Sequence, residues 1–517
     1  MLAKIVLLVI FFGIMIAIGF YCHKNATDVN GFVLGGRSVG PWMSAFAFGT
    51  SYFSAVVFIG YAGQFGWKYG IASFWIGIGN AVIGSLLAWV VLGRRTRVMT
   101  QHLESSTMPE FFGKRFDSNA LKIFASFIVF VFLIPYTASL YNGLSRLFAM
   151  AFNVDFTVCI VIMAVLTGIY VIAGGYMATA INDFIQGIIM LIGIVAVILA
   201  VLNSKGGFLA ALDGLARVED ATVSTTPGVF ASMFGPDPLN LLGVVILTSL
   251  GTWGLPQMVQ KFYAIKHESQ IRKGAVISTF FALVVSGGCY FLGGFGRLFS
   301  DQIALTEAGT PVEGYDAIIP TMLSNLPDAL IGLVVILVLS ASMSTLSSLV
   351  IASSSTLTID VIKGHVIKEM DEKKQVLWIR GLIVVFIAIS VVIAVVQYTN
   401  NVTFIAQLMG VSWGALAGAF LAPFMYGLYW KKTTRASVWV SFIFGAGIMT
   451  LNLLFRSAFP TLLQSPINCG AFAMLAGLVI VPLVSLISPK MGDKRVEEIF
   501  ACYDSKVEVS AKESLGE

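Results

Sequence analysis

Thirteen stretches of about twenty apolar residues follow one another along this chain, and no other feature narrows its folding as much. They run over 4–22, 41–63, 70–92, 121–148, 155–175, 180–203, 237–259, 272–299, 327–358, 379–397, 404–429, 436–455 and 470–488. Crossing a hydrocarbon layer as a helix takes about 20 residues, so each stretch has the length of one span. The runs are continuous, whereas a membrane β-barrel is built from short alternating segments. Charge is correspondingly scarce: only 11% of the 517 residues are Asp, Glu, Lys or Arg, against roughly 25% in a soluble domain. That deficit excludes a soluble multidomain enzyme. Five scattered cysteines point to neither a disulfide scaffold nor a zinc site. The first stretch lacks the basic start and small-residue cleavage site of a signal peptide, so it counts as a span. The expectation is an all-α polytopic membrane protein with 13 transmembrane helices.

The basic residues set its orientation. With the N-terminus outside and the C-terminus cytoplasmic, 25 of the 32 Lys and Arg fall on cytoplasmic segments, among them Arg94, Arg95, Lys261, Lys373 and Lys431. The net charge of +5 is therefore a topology signal in a multi-pass plasma-membrane protein, not a nucleic-acid patch. The lipid bilayer is its surroundings, and oligomeric state is not legible. No GxxxxGK[ST] loop occurs, so ATP-driven pumping within this chain is not expected.

Three segments are unlike lipid-facing helix: AFGTSYFSA at 47–55, LTSLGTWGLPQ at 247–257 and SASMSTLSS at 340–348. Gly and Pro free backbone carbonyls within the membrane, which are tolerable only against protein, a cavity or an ion. The alternative is small-residue packing with hydroxyls bonded to the preceding turn. Three such segments together favour a discontinuous-helix site for an ion or solute. Asp183, in ATAINDFIQG, needs a cation or several donors if it is ionised within the apolar layer, with helix capping as the other reading. Ser344, Thr345, Ser347 and Ser348 supply hard, neutral oxygens suited to a monovalent cation that must also leave. Offsets of three and four put Ser344, Ser347 and Ser348 on one helix face. Ala341 has only its carbonyl to offer.

These pieces resemble the sodium:solute symporter family. FVLGGRSVGPW at 32–42, SYFSAVVFIGYAGQFGWKYG at 51–70, GGYMATAINDFIQGIIMLIG at 174–193, GLPQMVQKFYA at 254–264 and SASMSTLSSL at 340–349 carry the resemblance, which runs over about residues 8–485. It implies a leucine-transporter-like core of two inverted five-helix repeats. Residues 1–40 would then hold the first helix and a cytoplasmic loop, and 41–203 the first repeat. Residues 204–429 would hold an outer loop and the second repeat, 430–489 two C-terminal helices, and 490–517 a cytoplasmic tail. The resemblance implies a main sodium site from the carbonyls of Thr50, Phe53 and Ala341 with the hydroxyls of Ser344 and Thr345. It implies a second from Asp183, Ser344, Ser347 and Ser348. Sodium is the coupling ion and no cofactor is expected.

For the solute, the pocket implied is Tyr52, Ser54, Tyr136, Thr248, Thr252, Trp253 and Gln257. The family's proline pattern has an acid at Tyr52, Gly at Ala55, Trp at Val56 and aromatics at Thr248 and Thr252; only Tyr136 and Pro256 agree with it. The expectation is sodium-coupled symport, by alternating access, of a small organic solute such as a monocarboxylate or pantothenate-like acid. The alternatives are a sodium/proline or other amino-acid symporter and, from a different class, a channel or receptor on the same core. A membrane enzyme lacks paired carboxylates, a metal cluster or an activated nucleophile.

Overall fold

The computed structural model describes residues 2–152, 154–307, 309–367, 369–400 and 405–504. Residue 404 of the eleventh expected span, residues 505–517 of the expected tail, and Lys368, Lys506 and Lys512 lie outside the described residues.

The chain is helical throughout its apolar runs. The principal elements are α1 (Leu2–Tyr21), α2 (Pro41–Tyr52), the helical run α3 (Val56–His102), α4 (Asn119–Phe152), α5 (Phe156–Ser204), α6 (Pro238–Leu250) and α7 (Pro256–Tyr263). There follow α8 (Ile271–Gly293), α9 (Asp328–Thr356), α10 (Glu372–Asn400), α11 (Ile405–Tyr429), α12 (Arg435–Leu454) and α13 (Pro466–Ile487). A short helix α14 (Asp493–Phe500) comes after the last apolar run. Their starts are chemically marked. Asp155 accepts the amides of Thr157 and Val158 at α5, while Asp237 accepts that of Asn240 beside Pro238 at α6.

The expected thirteen spans are not what the structure has. Among the described residues nine helices are long and apolar enough to cross a membrane, or ten if the bent pair α6–α7 counts as one span. The arrangement of two five-helix repeats flanked by one and two helices falls with that count. The reason is that an apolar run is not always one straight helix. The 155–175 and 180–203 runs meet at a kink at Gly175, whose backbone is not helical (φ 57°, ψ −149°), and together make one of the nine, Thr157–Ser204. The 41–63 run breaks after Tyr52, leaving α2 only 12 residues long, and its second half continues into the 70–92 run. The 4–22 run holds a shorter apolar helix, Ile5–Tyr21. The 237–259 run is bent by 41° between Trp253 and Pro256. At that bend Leu255 is extended (φ −84°, ψ 121°), as a residue before proline is driven to be.

Burial sorts these helices. In the apolar windows of α11 and α9, 94% and 83% of residues are buried, against 33% in α10. Helices α9 and α11 therefore form the interior, and α10 presents residues such as Val384 and Val392 outward. α9 lies against α5 and α4, α11 against α12, α13 and α4, and α8 against α2 and α3. Contact is closest where small residues meet. A Cβ on Gly66 would stand 1.9 Å from the Gly293 carbonyl oxygen, so backbone lies directly on backbone.

Candidate functional site

The break in α2 is the starting point. Its last turn ends at Phe53, which is extended (φ −107°, ψ 103°), so carbonyls near the end of α2 have no full set of partners from a next turn. The hydroxyl-rich part of α9 lies across this end. Ser344 Oγ donates to the Thr50 carbonyl at 2.9 Å and approaches the Ala341 carbonyl at 3.2 Å. Thr345 Oγ1 lies 3.0 Å from the Ala341 carbonyl, 3.3 Å from that of Thr50 and 3.4 Å from that of Ser51. Four of the five residues expected at the main sodium site are thus together: Thr50, Ala341, Ser344 and Thr345. All their oxygens are hard and neutral, which fits a monovalent cation. Phe53 enters differently. Its ring stacks on Tyr52 at 4.2 Å, and the carbonyl these hydroxyls reach besides Thr50 on α2 is that of Ser51.

One turn further along α9, Ser347 and Ser348 donate to the Ser344 carbonyl at 2.9 and 3.1 Å. Ser348 Oγ is also 2.8 Å from Ser51 Oγ. Asp183 of α5 is fully buried, and neither of its carboxylate oxygens accepts a hydrogen bond. Its companion is a cation absent from the sequence-derived site. Lys261 of α7 places Nζ 3.6 Å from Asp183 Oδ2 and donates to Ser348 Oγ at 2.8 Å. Lys261 is 1% exposed, so it belongs to the interior and not to the cytoplasmic basic set in which its position at the end of an apolar run had placed it. The available signal was that GLPQ opens a new helix, which makes Lys261 part of that helix's body. Just beyond it, the α7 end is held by Arg37, whose Nη1 donates to the Tyr263 carbonyl at 3.1 Å and Nη2 to that of Ser105 at 2.6 Å. Burial pushes the Arg37 guanidinium down to about 10, with Tyr263 and Glu110 working the other way.

The residues expected around the solute divide into two groups. The Tyr52 hydroxyl donates to the Thr248 carbonyl and lies against Gly84. Thr252 Oγ1 is 2.9 Å from the Gly84 carbonyl, and Trp253 Nε1 donates to that of Ile83 at 3.0 Å. These side chains tie α2 to α6, and the turn after α6 to α3. In the other group Gln257 Oε1 is buried without a hydrogen-bond partner, while the Tyr136 hydroxyl has Ser54 and the Trp413 indole N–H beside it. Trp413 was missed because it sits in the middle of an apolar run. Its ring is 5.9 Å from both Tyr52 and Tyr136, and Ser54 lies beside the Tyr136 hydroxyl. The set therefore offers aromatic walls from Tyr52, Tyr136 and Trp413 with a hydroxyl and an indole donor among them, and Gln257 Oε1 as a separate acceptor. A cavity of about 500 Å³ opens nearby, lined in part by Gln64, Lys68, Asp237, Asn240 and Val244. Val244 is one turn from Thr248, whose hydroxyl its carbonyl accepts. Among the described residues no group of three or more His, Cys, Asp and Glu could hold a metal.

Known proteins resemble this chain in sequence and in fold. The profile described as the Sodium:solute symporter family matches residues 32–445. A sodium/proline symporter of Staphylococcus aureus is 29% identical over 500 residues, covering 95% of this chain and 93% of that protein. A solved Na+-coupled sialic acid symporter, in a substrate-bound outward-open state, superposes with a TM-score of 0.73 at 16% identity, covering 94% and 98% of the two chains. An Eremococcus coleocola manganese transporter gives a TM-score of 0.51 at 12% identity, covering 89% and 95%. At these identities the solved structures speak for the fold alone.

Proposed function

The chain belongs to the sodium:solute symporter family and carries a small solute across the membrane with sodium by alternating access, and we propose that this solute is a small amino acid of the proline kind. The observation that carries the reading is a donor cluster of Tyr136, Trp413 and Ser54 among aromatic rings, with Gln257 Oε1 on α7 as an unpaired buried acceptor. Tyr136 Oη and the Trp413 indole N–H suit a carboxylate, and Gln257 Oε1 suits an amine or imine N–H. A simple monocarboxylate would leave the acceptor unused. The likeness to sodium/proline symporters over nearly the whole chain supports the same choice. It outweighs the expectation of an organic acid, and the departures at Tyr52, Thr248 and Thr252 then describe a differently built pocket wall, in which Tyr52 is bonded to the Thr248 carbonyl.

In this reading the sodium rests on the Thr50 and Ala341 carbonyls and the Ser344 and Thr345 hydroxyls, with Phe53 closing the broken end of α2. Asp183, Ser347 and Ser348 form a second cation subsite one turn away. Sodium bound at the first set holds the end of α2 against α9 and so positions Tyr52 and Ser54 beside the solute, and the linkage is reciprocal. The N-terminus lies outside and the C-terminus in the cytoplasm, so sodium and solute move inward.

The test is uptake of labelled proline into proteoliposomes under an imposed sodium gradient, with pantothenate and short monocarboxylates as competitors. Sodium-dependent proline uptake that other small amino acids inhibit is the expected result. Strong competition by the organic acids with none by proline rejects the amino-acid reading.

A further inference from the structure

The second cation subsite holds a charge of its own. Lys261 Nζ contacts two of its oxygen-bearing residues, Ser348 at 2.8 Å and Asp183 at 3.6 Å, and stands 5.1 Å over the Tyr176 ring. Neither Asp183 oxygen accepts a hydrogen bond, and Lys261 is the cation paired with it. An ammonium group and a sodium ion each carry one positive charge, and both are satisfied by a carboxylate and hydroxyl oxygens. They cannot share these oxygens without placing like charges side by side in a buried site, which is strongly disfavoured.

The group is also held in place from both sides. α7 starts at the bend after Trp253, and all eight of its residues are buried. Its far end is fixed by Arg37 on the Tyr263 carbonyl and by the backbone bridge between Val39 and Ile265. Ser348, which accepts from Lys261, is bonded in turn to Ser51 at the end of the broken helix. The ammonium is thus wired to the segment that carries the main sodium carbonyl of Thr50, yet it is covalently tethered and cannot be released.

We propose that Lys261 is a built-in cation that occupies the Asp183–Ser348 subsite in place of a second sodium, so that this transporter moves one sodium per solute. The proposal rests on the reading of Asp183 and Ser348 as a cation subsite. A tethered charge supplies the electrostatic closure of the site in every cycle but contributes nothing to the ion count. Removing it exposes Asp183, Ser347 and Ser348 to a mobile ion.

Stoichiometry decides the matter. The full chain is reconstituted, and the sodium-to-solute ratio is taken from reversal potentials, with sodium activation curves alongside. The parent is expected to give a ratio of one and a Hill coefficient near one. Lys261→Met should raise the ratio to two and the Hill coefficient above one, since the coefficient is bounded by the number of sites. Adding Asp183→Asn to Lys261→Met should return the ratio to one, and Lys261→Arg, which keeps the charge, should leave it at one. A ratio of two in the parent overturns the proposal whatever becomes of the variants. So does a ratio of one in a transporting Lys261→Met protein. Should that variant fail to fold, Lys261→Gln is read in the same way. An intact effect of Ser344→Ala on sodium activation beside an unchanged Lys261→Met ratio removes only the tethered cation. Loss of both effects fails the cation reading of the whole region.

Discussion

Removing the Ser344 hydroxyl should weaken sodium far more than it weakens the solute. Ser344 and Thr50 are fully buried, so no water replaces what Ser344→Ala deletes. The lost oxygen is the one 2.9 Å from the Thr50 carbonyl, while Thr345 Oγ1, at 3.3 Å from the same carbonyl, remains. Losing one buried hydrogen-bonding or ligating group costs about 1–3 kcal/mol. At about 1.4 kcal/mol per decade, this is roughly a 5–150-fold rise in the sodium concentration for half-maximal uptake. Thr345→Ser keeps the hydroxyl and should shift sodium little, while Thr345→Val keeps the shape and should behave like Ser344→Ala. The double removal should cost less than the product of the two, because both hydroxyls serve the Thr50 carbonyl. The assay is initial-rate uptake in proteoliposomes, varying sodium at saturating solute and then solute at saturating sodium. In the second arrangement the solute KM should return close to the parent value, since sodium linkage is then satisfied. An unchanged sodium curve with a raised solute KM at saturating sodium would refute the cradle and make these hydroxyls part of the solute pocket.

Three further outcomes are expected. Gly66→Ala puts a methyl group 1.9 Å from the Gly293 carbonyl oxygen, and overpacking of this kind costs about 1–3 kcal/mol or more, so the detergent-solubilised protein should melt earlier or be lost on size exclusion; parent-like melting would contradict the backbone contact. Tyr52→Phe removes the bond to the Thr248 carbonyl and should raise the solute KM by about 2–10-fold with sodium activation intact, while Thr252→Trp should abolish solute binding; equal loss of sodium and solute binding in Tyr52→Phe would count against its assignment to the solute. A cysteine introduced at position 220 should react with an impermeant thiol reagent outside intact cells and one at 370 should not, and the reverse pattern would invert the orientation.

The hydroxyl cluster of α9 and the break in α2 were legible because local composition produces both. Six hydroxyls in nine residues do not suit a lipid-facing helix, and Gly49 with the polar residues around it does not suit an uninterrupted one. The number of spans was not legible, because the kink at Gly175 and the bend before Pro256 depend on backbone angles that hydropathy does not encode. Lys261 escaped for a different reason. A lysine following an apolar run ordinarily marks the interface, and only the packing of α5 and α9 around α7 shows that its partner, Asp183, lies 78 positions away in the chain. Trp413 was hidden by its own hydrophobicity within a buried helix, since what distinguishes it is its place beside Tyr52 and Tyr136 and not its neighbours in sequence.

Two adjacent residues at the end of α2, Thr50 and Ser51, are gripped by Ser344 and Ser348, one helical turn apart on α9. The two bonds behave as a key with two teeth. A tilt of α2 about the extended residue Phe53 is a movement that parts it from α9 at both bonds. A tilt lifts both teeth at once. Loosening of Ser344 from the Thr50 carbonyl and of Ser348 from Ser51 are then parts of one movement of the α2 end.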